Sequence, residues 1–205
     1  MSDRGVLTVI SGFSGAGKGT VVKQLLQEYD YGLSISATTR SPREGEQDGR
    51  EYFFKTKEEF EKMIREHQLI EYAQYVGNYY GTPKEYVVQQ LEQGKDVILE
   101  IEMQGALRVR EILPEVNLIF LTPPTVDELE RRLVSRGTET AEVICERMAR
   151  AKEESAYMNE YDYVVINDDL DECVENVHQL IRSLHYKREQ QEGFIQKIKQ
   201  EFEKR

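Results

Sequence analysis

The chain has 205 residues, 39% of them hydrophobic and 32% charged, which suits one globular α/β unit with a sizeable core and excludes disordered, collagen-like and fibrous classes. Acidic residues outnumber basic ones by 38 to 27, so the formal net charge is −11 and the surface repels polyanions. That argues against nucleic acid and anionic membranes as partners, but leaves room for a small phosphate ligand held in a local pocket of positive charge.

Residues 1–5 lead straight into an apolar run without the order of charged, apolar and small residues that marks a signal peptide. No stretch approaches the roughly 20 apolar residues of a membrane span. The two cysteines, Cys145 and Cys173, fall in helical patterns with no CxxC pair and read as buried small hydrophobes. The expectation is a reduced, cytoplasmic protein.

Apolar runs at 6–11, 96–101, 116–121 and 163–166 are nearly continuous in Val, Ile and Leu. They alternate with patterns of helical period, which predicts βαβ units and a parallel sheet covered on both faces. The first run is followed by Gly12, Phe13, Ser14, Gly15, Ala16, Gly17, Lys18, Gly19 and Thr20, and then by a helical pattern. A strand, GxxxxGK and a helix in that order make a phosphate loop. Its glycines let backbone N–H groups approach phosphate oxygens, the helix start adds its positive dipole end, and Lys18 adds a point charge. The usual hydroxyl after the lysine is replaced by Gly19, so magnesium ligation falls to Thr20 or to water. The Asn-Lys-x-Asp motif of GTPases is missing, which leaves a small-molecule kinase or a degenerate binding module.

Residues 33–94 read as a lobe inserted between the first helix and the second core strand, with strand patterns at 33–37, 51–54 and 69–77. Its polar loop, 39–50, presents Arg40, Arg43 and Arg50 among turn formers. Two arginines three residues apart can converge on one phosphate, although taken alone they are equally a solvated basic loop. Tyr52 and Tyr80 offer hydroxyl donors without added charge. Glu71 sits in an apolar strand pattern, where a carboxylate needs donors. Guanine supplies two adjacent ones, N1–H and the exocyclic amine.

Thr56 with Glu59, and Thr125 with Glu128, predict capping boxes. Residues 125–161 read as a helical hairpin broken at Gly137, with Arg132 and Arg136 on one side of its first arm and Arg147 on the second. Residues 185–205 read as a charged helical tail with Phe194, Ile198 and Phe202 at helical spacing.

The order and spacing of these segments resemble guanylate kinase. Besides the phosphate loop, the matching stretches are 36–46, 49–52, 77–82, 99–106, 120–124, 136–140 and 165–170. The resemblance spans about 5–184 and implies a P-loop nucleoside monophosphate kinase fold, α/β in class. Its parts would be a parallel-sheet core (5–32, 95–124 and 162–184), a GMP-binding lobe (33–94) and a helical lid (125–161). It implies transfer of a phosphoryl group from ATP to GMP, and to dGMP, with Mg²⁺ accompanying ATP. By that resemblance Ser36, Glu71 and Thr82 read guanine with Glu102 nearby, and Arg40, Arg43, Tyr52 and Tyr80 hold the GMP phosphate. Residues 12–20 wrap the ATP phosphates, and Asn167 lies near the adenine. Lys18, Arg132, Arg136 and Arg147 meet the transferring group, and Glu100 joins Thr20 toward magnesium, directly or through water. Phe13 stands where the family more often has a small residue or proline. Glu100 and Glu102 stand where some members have aspartate. The acting unit would be a monomer or homodimer. Two readings compete: a non-catalytic guanylate-kinase-like module that binds phosphopeptides, and a kinase for another nucleoside monophosphate.

Overall fold

The computed structural model describes residues 4–43, 45–75, 77–135 and 140–205. Its larger sheet is entirely parallel, in the order β2 (Gly32–Leu33), β7 (Val97–Glu100), β1 (Leu7–Gly12), β8 (Asn117–Thr122), β9 (Tyr163–Ile166). Parallel strands need crossovers, and α1 (Lys18–Glu28), α3 (Lys84–Glu92), α4 (Met103–Ile112) and α7 (Leu170–Leu184) supply cover on both faces. Alternate residues of one strand enter different cores. Leu7, Val9, Leu118 and Phe120 face α3 and α4, while Ile10, Ile119 and Leu121 face α1 and α7. All of β1 is buried, as its unbroken apolar run requires.

A smaller mixed sheet has the order β4 (Phe53–Phe54), β3 (Ala37–Thr38), β6 (Asn78–Pro83), β5 (Leu69–Tyr75). It keeps its own small core, Ala37, Phe60 and Leu69, under α2 (Lys57–Arg65). The strand expected at 33–37 is in fact divided: Gly32–Leu33 pairs in the larger sheet and Ala37–Thr38 in the smaller. Similarly, α3 lies within the span expected for the lobe, yet its Val87 and Leu91 join the main core. The chain therefore leaves the larger sheet after Leu33 and the smaller one after Pro83, and rejoins the larger at Val97.

Thr56 and Glu59 form a complete capping box at α2. At α5 (Val126–Ser135) only half of the expected box forms. The Thr125 hydroxyl accepts from the Glu128 N–H, but the Glu128 carboxylate turns to Arg131 and Arg132 instead. The stop expected at Gly137 lies outside the described residues. The second arm, α6 (Ala141–Ser155), starts on Thr140, whose hydroxyl accepts from the Val143 N–H. Cys173 is buried as expected, but Cys145 is exposed on α6.

Beyond α7 the chain crosses the start of the larger sheet. There His185 bonds Asp96, and Lys187 bonds the Asn117 side chain. The tail then forms α8 (Glu192–Glu203), none of whose residues is buried. Among the described residues, no helix is long and apolar enough to cross a membrane.

Candidate active site

The phosphate loop joins β1 to α1 as expected. Gly15 and Gly17 adopt φ of 95° and 91°, in the left-handed region that side chains rarely enter, and Gly17 caps α1. Lys18 is buried at the head of α1 and donates to the carbonyls of Gly12 (2.8 Å) and Phe13 (3.2 Å). The Phe13 ring points into the core, 8% exposed and edge-on to Phe120 at 4.9 Å. Phe13 thus offers the loop its backbone, while its side chain anchors the loop from beneath.

One residue of α6 and one strand end hold this loop directly, and a residue of α5 holds the strand end. Arg147 on α6 donates to the Ser14 hydroxyl at 2.7 Å. Buried Asn167, just past β9, donates through Nδ2 to the Ala16 carbonyl at 2.8 Å. Arg132 on α5 in turn donates to the Asn167 carbonyl at 2.9 Å and to Glu128 at 2.6 Å. Its two arginine partners pull the Glu128 carboxyl down to about 2. Arg136 lies outside the described residues.

Acidic groups gather at the ends of β7 and α6. Glu102 is 3.8 Å from Lys18 of the phosphate loop. Glu100 lies beside Gly19: a Cβ there would come within 3.4 Å of its Oε1. Burial raises the Glu100 carboxyl, Lys18 lowers it, and Glu102 raises it further. Glu154 on α6 is buried and raised chiefly by burial, then by the charge of Glu102. Sequence reasoning missed Glu154, since nothing marks one glutamate in a charged helix as inward. Among the described residues no three acidic, histidine or cysteine groups converge as a metal cage. One carboxylate and an exposed Thr20 fit a Mg²⁺ ion that keeps most of its waters and arrives on substrate phosphates.

The smaller sheet collects a second set. The Arg40 guanidinium lies 5.3 Å from the centre of the Tyr52 ring, and its charge is favoured first by Glu46 and then by the Tyr80 hydroxyl. The Tyr52 and Tyr80 rings stand 6.0 Å apart. Glu46 positions this group, accepting from Arg40 at 2.9 Å and from the Arg43 N–H at 2.7 Å. Arg43 itself is exposed on the loop, and Ser36 is half-buried, its carbonyl accepting from the Phe53 N–H at 2.9 Å. Glu71 and Thr82, both buried, meet at 2.8 Å, the hydroxyl donating. Burial raises the Glu71 carboxyl, while Thr82 and then Arg108 lower it. An inward carboxylate with a single neutral donor is costly unless a ligand adds more.

Two clusters that contain a cation therefore lie on different sheets, one around Lys18 and one around Arg40. The family model described as guanylate kinase matches residues 4–184. A guanylate kinase of Lactococcus lactis subsp. lactis is 54% identical over 188 residues, covering 91% of this chain and 92% of that protein. Another, from Oceanobacillus iheyensis, is 55% identical over 190 residues, covering 92% of each. The crystal structure of guanylate kinase from Anaplasma phagocytophilum superposes with a TM-score of 0.67 at 32% identity, covering 88% of this chain and 86% of that one.

Proposed function

The chain belongs to the guanylate kinase family and transfers the γ-phosphoryl group of ATP to GMP, giving ADP and GDP, and we propose the following division of that reaction among its residues. Residues 12–20 hold the ATP phosphates, with Lys18 following the transferring group and Asn167 near the adenine. Arg132, Arg136 and Arg147 bring positive charge from the lid. Arg40, Arg43, Tyr52 and Tyr80 hold the GMP phosphate, and Ser36, Glu71 and Thr82 read the base. The proposed units are a core, a GMP lobe within 33–94, a lid at 125–161 and a tail from 185.

The observation that carries this reading is the convergence of Lys18 and Arg147 on one phosphate loop, Lys18 at its carbonyls and Arg147 at Ser14. Phosphoryl transfer needs positioning and charge neutralisation more than covalent chemistry. A GMP phosphate oxygen is already anionic at neutral pH, so it attacks in line without a general base. The cations stabilise charge that spreads over the transferring oxygens. Lid closure excludes water and suppresses ATP hydrolysis. Thr20 and Glu100 would hold Mg²⁺, directly or through water, and the ion would neutralise phosphate charge when bound.

Glu102 lies near the guanine in this proposal, and its place 3.8 Å from Lys18 supports a further link to the phosphate loop. The net charge of −11 supports free nucleotides as substrates, not nucleic acid or a membrane. The proposed setting is a monomer or homodimer working in cytoplasmic purine nucleotide metabolism and GMP recycling. A non-catalytic module is disfavoured by the intact phosphate loop.

A coupled assay of ATP with GMP, dGMP, AMP, CMP and UMP tests the reading: turnover is expected with the two guanine nucleotides. Lys18→Met is expected to abolish it, and full GMP-dependent ADP production by that variant would refute the phosphate-loop role.

A further inference from the structure

We propose that Arg108, on α4, is a positioning residue for base recognition, which pins the segment of β5 that carries Glu71 by donating to the Tyr72 carbonyl. The proposal rests on Glu71 reading guanine.

The geometry begins with a β-bulge. Leu69 pairs with Pro83 and Tyr72 with Gly81, so two residues of β5, Ile70 and Glu71, oppose the single Thr82 of β6. A bulge re-aims a side chain but leaves the ladder locally weaker. Here it turns Glu71 to meet the Thr82 hydroxyl. The strand is also the outer one of its sheet, so no further strand supports it on that side.

Arg108 supplies the missing support from the core. Its guanidinium donates to the Tyr72 carbonyl, directly after the bulge, at 2.6 Å. Gly105, one turn earlier on the same face of α4, approaches Glu71 so closely that a Cβ there would lie 3.3 Å from its Oε2. The helix therefore fits the bulge at two points, one by a hydrogen bond and one by the absence of a side chain.

Charge adds to position. The seam between α4 and β5 is a groove of about 370 Å³, lined in part by His67, Glu71, Arg108 and Glu111. Thr82 faces Glu71 from β6 as a neutral donor. Among these groups, the charge that lowers the Glu71 carboxyl is that of Arg108, against the burial that raises it. A carboxylate can accept both guanine donors only when ionised and correctly aimed, and Arg108 favours both conditions.

Steady-state kinetics against GMP at saturating ATP, across pH, tests this with Arg108→Gln, Arg108→Lys, Glu71→Gln and Ile112→Ala. Arg108→Gln is expected to raise the KM for GMP about tenfold, the scale of one charge-assisted hydrogen bond, with kcat and the KM for ATP nearly unchanged. It should also move the acid limb of kcat/KM for GMP to higher pH. Arg108→Lys should return that limb while restoring only part of the KM, since it keeps the charge without the fork. Ile112→Ala, a change in the same groove, should leave GMP binding at the wild-type level. Arg108 has no such role if its Gln variant keeps the wild-type KM and acid limb while Glu71→Gln weakens GMP, or if Ile112→Ala reproduces the Arg108→Gln effect. If Glu71→Gln leaves GMP binding intact, the base-reading assignment itself fails.

Discussion

Arg147 reaches from the second lid arm to the Ser14 hydroxyl of the phosphate loop at 2.7 Å. On the proposed assignment of α6 to the lid, this contact would set a cation where a γ-phosphate would be neutralised. Arg147→Ala is expected to lower kcat by about 10²–10³-fold, the usual effect of removing one donor to a transition-state charge, with little change in the KM for GMP. Single-turnover measurement of ADP formation checks it.

Glu71 offers a prediction about stability that needs no substrate. Burial holds its folded-state pKa above the ordinary 4.5, so the folded protein binds its proton more tightly than the unfolded chain does. The stability this group contributes is complete below 4.5 and is lost as pH rises through the higher folded value. Glu71→Gln should therefore be more resistant to urea than the wild type at pH 7.5, and the advantage should vanish below pH 4.5. Its GMP binding should weaken over the same neutral range, while AMP, a poor partner for a carboxylate, changes little.

Glu128 runs in the opposite sense. Arg131 and Arg132 hold its carboxyl at about 2, so its contribution is present above 4.5 and is lost as pH falls through about 2. Glu128→Gln is expected to melt at a lower temperature than wild type at pH 6 and to converge with it in strong acid. Circular dichroism melts across pH decide this.

Phe13 fills core space beneath the phosphate loop, against Phe120 at 4.9 Å. Phe13→Ala should cost about 3–5 kcal/mol of unfolding free energy, and Phe13→Leu much less, by denaturant titration. The Ala variant should also bind ATP less well, because the loop carbonyls that hold Lys18 lose their anchor.

Much of this arrangement was legible in the sequence because its signals are local. The phosphate loop, the Thr56 capping box and the four long apolar strands each declare themselves within a dozen residues. The strands of the smaller sheet do not: Ala37–Thr38 and Phe53–Phe54 are too short to show a period, so the chain's change of sheet near residue 35 was hidden. Side-chain roles were lost for a similar reason. Arg108 meets Tyr72 across 36 residues, and nothing in the helical pattern around it separates this exposed arginine from one that meets only solvent. The exposed face of Cys145 was equally hidden, because a helix pattern does not say which neighbour is absent.

Truncation tests the tail. None of the residues of α8 is buried, whereas His185 and Lys187 hold the start of the larger sheet. Removing 192–205 should leave the melting temperature and the GMP kinase rate nearly unchanged, while removing 185–205 should lower the melting temperature. Differential scanning calorimetry of the two truncations separates these outcomes.

Asn167 touches the phosphate loop through its side chain and a lid arginine through its carbonyl. Loop, strand end and the arms α5 and α6 are thus tied together on the large sheet, whereas Arg40, Tyr52 and Tyr80 ride on the small one with its own core. On the proposed assignment, neither half alone contains the full set of cations. The protein is in this sense a coincidence detector, an AND gate in which donor and acceptor nucleotide must both be present before the charge of the moving phosphoryl group is fully met.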